Sequence, residues 1–97
     1  MDNEFVNEDL GCRFTIKRPT VAQQLIYLDN VGRGTLVAWF ASRPMIETWE
    51  SEYMPDKEAD LTQVTDGMVT QTVTWAADCV AGYMNELGAI PKNKSRR

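Results

Sequence analysis

The chain is 97 residues long, 43% hydrophobic and 25% charged, with a formal net charge of −4 and no histidine. That length supports one hydrophobic core but not two independently stable ones, and the composition excludes a disordered chain. No run approaches the roughly 20 apolar residues of a membrane helix. The start Met1-Asp2-Asn3-Glu4 is acidic where a signal peptide would be basic, so a cytoplasmic protein is expected.

The charges are spread unevenly. Residues 1–10 carry four acids and no base, while Lys92, Lys94, Arg96 and Arg97 crowd the last six positions. Without those four bases, six others face 14 acids, a net of −8. Such a body repels phosphate backbones, so no specific nucleic-acid binding is expected of it. Residues 1–10 read as an acidic arm and residues 89–97 as a flexible basic tail.

Residues 11–18 read as a strand, because Phe14 and Ile16 alternate with Arg13, Thr15 and Lys17. Glu4 to Asn7 is its candidate hairpin partner across Glu8 to Gly11. If it stays unpaired, the edge carrying Phe14 and Ile16 can join a second copy of the chain.

Pro19 ends the strand, and Thr20 with Gln23 forms a capping box that opens a helix. Val21, Leu25, Leu28 and Val31 mark its expected core face, and Gly32 and Gly34 end it. Thr35 to Ala41 reads as a second helix, apolar around most of its circumference. Pro44 predicts a kink or a restart capped by Ser42. Beyond it Ile46, Trp49 and Tyr53 share one helical face, and residues 55–64 read as a polar loop.

The last helix starts near Thr65 or Asp66 and runs to Leu87, closed by Gly88 and Pro91. Its first stripe is Val69, Val73, Ala76, Val80, Met84 and Leu87. A second, Met68, Thr72, Trp75, Cys79 and Tyr83, lies beside it, which predicts contact with more than one neighbour. The fold expected from these elements is mainly α: a small three- to four-helix domain, residues 20–88, preceded by a short N-terminal β-strand or hairpin.

Catalysis near neutral pH usually recruits histidine, or a cysteine or serine with a neighbouring base, and the usual dyads are missing here. Cys12 and Cys79 form no CxxC pair and read as free buried thiols. Glu50 with Glu52 and Asp56 with Glu58 lie among exposed charges. Gly32 and Gly34 lack the lysine of a phosphate loop, and Asp56, Glu58 and Asp60 lack the remaining ligands of a calcium loop. No enzymatic activity, cofactor or metal is expected. The expected function is protein binding, with Leu25, Trp39, Phe40, Trp75, Cys79 and Tyr83 as candidate contact residues; taken singly, the tryptophans are more often core.

The segment Phe14-Thr-Ile-Lys-Arg-Pro-Thr-Val21 resembles the N-terminal signature of tail assembly chaperones from long-tailed bacteriophages, in which a strand runs through Arg-Pro-Thr into a helix. Trp75-Ala76 inside a long helix, with Ile90-Pro91-Lys92-Asn93 after it, is similar to the close of such proteins. Many of them carry Gly-Asp where this chain has Ala22-Gln23. The resemblance implies a helical protein that binds the tail tape measure protein, keeps its hydrophobic helices soluble, helps recruit tail tube subunits, and self-associates. Two other readings fit the composition: an acidic inhibitor of a host nucleic-acid-binding protein, and a small self-assembling virion or adaptor subunit.

Overall fold

The computed structural model describes residues 3–88. The elements run β1 (Glu4–Asn7), β2 (Cys12–Ile16), α1 (Val21–Asn30), α2 (Thr35–Ser42), a 3₁₀ turn at Arg43–Met45, β3 (Ile46–Ser51) and α3 (Gly67–Leu87). The fold is therefore α+β, not mainly α: a three-stranded antiparallel sheet of order β1-β2-β3 is joined to three helices.

The hairpin forms, with Phe5 opposite Phe14 and Asn7 opposite Cys12. Its turn is held locally. Asn7 Oδ1 accepts from the Leu10 N–H at 3.0 Å, and the Gly11 N–H reaches Glu8 O at 3.1 Å. Gly11 has φ +57° and lies where a Cβ would meet Glu52 Oε1 at 2.8 Å, so glycine is the residue that fits.

The segment expected to be a third helix is β3, which pairs with β2 and makes β2 the middle strand. Its inward residues are Ile46, Trp49 and Ser51, opposite Ile16, Phe14 and Cys12. Thr15 pairs with Thr48 while Ile16 pairs with Ile46, so Glu47 is an extra residue, a β-bulge. The bulge turns the strand period of two into a spacing of three, which is why Ile46 and Trp49 mimic a helix face. With β2 in the middle, Phe14 and Ile16 are fully buried and form no free edge.

The capping box at Thr20 is complete, with the Gln23 N–H donating to Thr20 Oγ1 at 3.2 Å and the Thr20 N–H to Gln23 Oε1 at 3.0 Å. Asp66 caps α3 through the Met68 N–H, and Gly88 ends it in the left-handed region at φ 84°. The first stripe of α3 is buried from Val69 to Met84, with Leu87 at its margin. Its second stripe reaches the sheet: the Trp75 ring meets Phe14 edge-on, with centroids 5.4 Å apart. The broad apolar face of α3 is thus used inside the domain, against the sheet on one side and α2 on the other.

Aromatic rings tie the two layers together. Phe5 stacks on Phe14 at 5.3 Å, Phe14 lies 5.6 Å from Trp49, and Trp49 lies 5.4 Å from Trp39 of α2. The Trp49 indole N–H donates to Met54 O at 2.7 Å, which folds the chain after β3 back onto the core. Two buried hydroxyls are spent inside their own helices: Ser42 donates to Ala38 O at 2.6 Å and Thr72 to Met68 O at 2.8 Å.

Candidate protein-binding surface

Helix α1 is amphipathic in the opposite sense to its sequence reading. Tyr27 is its fully buried side chain, whereas Val21 is 70%, Leu25 57% and Ile26 55% exposed. Apolar residues occupy both faces of α1, so periodicity alone fits either orientation. The larger Tyr27 ring takes the core side, and Val21, Leu25 and Ile26 are left on the surface. Val21 and Leu25 lie one turn apart and form one ridge.

Helix α2 packs against α1 and α3, with Trp39 buried. Its outer side carries Leu36, 49% exposed, and Phe40, 44% exposed, again one turn apart. The Arg43 guanidinium sits 4.7 Å above the Phe40 ring and also approaches Glu58 at 3.3 Å. Beside Leu36 opens a groove of about 330 Å³ lined by Leu61, Val64, Val69 and Val73, with Thr35, Thr70, Thr74 and Asp66 around them. Val64 is itself an exposed aliphatic residue.

Six of the eight large hydrophobic residues exposed among the described positions are Val21, Leu25, Ile26, Val31, Leu36 and Phe40, all on α1, α2 and their connection. The same stretch, residues 19–42, contains two charges, Asp29 and Arg33. In a chain that is one-quarter charged, an apolar and charge-poor surface segment has the composition of a protein contact face. That charge gap is the signal in the sequence that marks this stretch as surface, where helical periodicity put Val21 and Leu25 on the core face.

The structure divides the six candidate contact residues. Leu25 and Phe40 lie on this surface. Trp39 and Tyr83 are buried in the core, and their volume serves packing rather than contact. Trp75 and Cys79 are half-buried against that core. Phe14 and Ile16 belong to the core as well.

The thiols are chemically quiet. Burial pushes Cys12 from its ordinary 9.0 up to about 11, against a lowering hydrogen bond from Ser51. Burial, with smaller contributions from Asp78 and Cys12, pushes Cys79 up to about 11 as well. Both are therefore protonated, weak nucleophiles at neutral pH. Among the described residues, Asp78 beside Cys79 is exposed, and no group of three His, Cys, Asp or Glu residues is placed to hold a metal ion. On the outer sheet face Arg13 pairs with Glu4 at 3.9 Å and stands opposite Glu50. Glu58 lies 3.8 Å from Lys57, so Glu4 and Glu58 sit in ordinary surface ion pairs.

Comparison with protein-family models, with curated proteins and with solved structures found no match. Among the described residues, no helix is long and apolar enough to cross a membrane.

Proposed function

We propose that this protein is a non-catalytic chaperone of phage tail assembly, which binds the tail tape measure protein in the host cytoplasm and keeps it soluble. The observation that carries the protein-binding part is the concentration of Val21, Leu25, Ile26, Leu36 and Phe40 on a nearly uncharged surface of α1 and α2. Each such side chain, about half exposed, gains roughly 1 kcal/mol when covered, which favours an apolar helix of a client over water. The acidic remainder of the chain keeps a complex with an apolar client soluble.

The tape measure protein as the client rests on the resemblance of the Phe14 to Val21 segment and of the chain's close. The capping box at Thr20 supports that resemblance, because the strand, Arg-Pro-Thr and helix follow in the expected order. Recruitment of tail tube subunits belongs to the same reading.

The test is co-expression with a tail tape measure protein, with recovery of that partner in the soluble fraction as the readout. Leu25→Asp and Phe40→Asp, at exposed positions, are expected to abolish recovery while the circular dichroism spectrum stays native. Trp75→Asp is the control that loses recovery through loss of the fold. Full recovery with both exposed-site variants would remove this surface from the reading. Absence of any complex with the native chain would remove the chaperone assignment itself.

A further inference from the structure

The groove between α2 and α3 is apolar at its floor and acidic at its rim. Leu36, Leu61, Val64, Val69 and Val73 line it, Asp66 borders it, and Asp60 precedes Leu61. The Asp60 carboxyl is held below its ordinary value by hydrogen bonds from the Thr62 hydroxyl and N–H, and the Asp66 carboxyl accepts from the Met68 N–H at the start of α3. Among the described residues, no lysine, arginine or histidine lines the groove. It suits a short segment with an aliphatic anchor followed by bases.

Residues 89–97 have that composition: Ile90 and Pro91 are followed by Lys92, Lys94, Arg96 and Arg97, with no acid. The remainder of the chain carries −8. Reach decides which copy is served. Helix α3 has 21 residues, so at about 1.5 Å per residue it spans roughly 31 Å, with Val69 and Val73 near its start and Gly88 past its end. Ile90 lies two residues beyond Gly88, at most about 7 Å of extended chain, and falls far short of its own groove.

We propose that this groove receives the C-terminal segment of a second copy, with Ile90 seated among Leu36, Val64 and Val73 and its lysines facing Asp60 and Asp66. Each copy offers one groove and one segment, so two copies that exchange segments close into a symmetric pair, while exchange with successive copies builds a ring or a chain. This does not depend on the chaperone reading.

Sedimentation of the full chain over a concentration series tests it. The mean mass is expected to rise above that of the monomer with concentration, and association is expected to weaken at least tenfold between about 50 mM and about 500 mM salt as the Debye length shrinks. Ile90→Asp and Val64→Asp are each expected to be monomeric with native circular dichroism, and Leu36→Asp serves as the second groove variant. Mixing Ile90→Asp with Val64→Asp is decisive. One retains the groove and the other the segment, so a one-to-one dimer that grows no further is expected. A monomeric native chain, association unaffected by Ile90→Asp, association strengthened by salt, or a mixture that stays monomeric would each overturn the proposal, the salt result pointing to contact between apolar α1 and α2 faces instead.

Discussion

Phe14 of the middle strand and Trp75 of α3 meet edge to face, with ring centroids 5.4 Å apart and planes at 76°. This pair joins sheet to helix, since Phe14 also touches Phe5 and Trp49 on either side. Removing either ring leaves a cavity at the junction of the two layers. Phe14→Ala is expected to lower unfolding free energy by about 3–5 kcal/mol, read from the midpoint of urea denaturation. A cost near that of a surface substitution would show that the layers are not joined there.

Glu47 sets the register of β3. Deleting it removes the bulge that lets Ile46 and Trp49 both face inward. Either Ile46 or the residues after it must then turn to solvent, because a one-residue slip reverses every side chain. The expected cost is at least about 2 kcal/mol, that of losing one buried aliphatic residue. Glu47→Ala, which keeps the count, is expected to change stability by less than about 0.5 kcal/mol.

The indoles of Trp39 and Trp49, fully and partly buried, differ in one respect. Trp49 donates to Met54 O, whereas the fully buried Trp39 Nε1 has no hydrogen-bond partner. Both Trp→Phe replacements lose volume, but only Trp49→Phe also loses a hydrogen bond and strands a carbonyl. Trp39→Phe instead removes an unpaired donor that costs about 1–3 kcal/mol. Trp49→Phe is therefore expected to be the more destabilising of the two in thermal or urea unfolding.

The cysteines make stability fall at high pH. Each thiol is raised from 9.0 to about 11 on folding, chiefly by burial, so the folded state holds its proton where the unfolded state releases it. Their contribution is fully present below pH 9 and is lost as pH rises through about 11. The denaturation midpoint is expected to decline across that window, and less steeply in a Cys12→Ala, Cys79→Ala double variant. Identical slopes for the two proteins would contradict the assignment.

Leu25→Asp and Ile26→Asp are expected to leave stability within about 0.5 kcal/mol of the native chain, because both side chains already stand in water. Tyr27→Asp, one residue further, places an unpaired charge where the ring is fully buried and is expected to prevent folding. The contrast, read by circular dichroism, fixes which side of α1 faces the core.

Local chemistry was legible in the amino-acid sequence. The capping box at Thr20, the hairpin partner of Cys12–Ile16, the extent of α2, and α3 with its Asp66 and Gly88 ends all follow from short-range hydrogen bonding and backbone preference. The charge-poor stretch 19–42 was equally visible there. Three things were decided only by tertiary structure. Ile46–Ser51 became a strand because β2 offered it a ladder, with a bulge that hid its period. Helix α1 turned Tyr27 inward because its apolar residues fit two orientations and only packing against α2 and the core distinguishes them. Trp39 and Tyr83 went to the interior and Trp75 to its margin, since residue type and spacing report that a face is apolar, while what covers that face depends on which elements the folded chain brings against it.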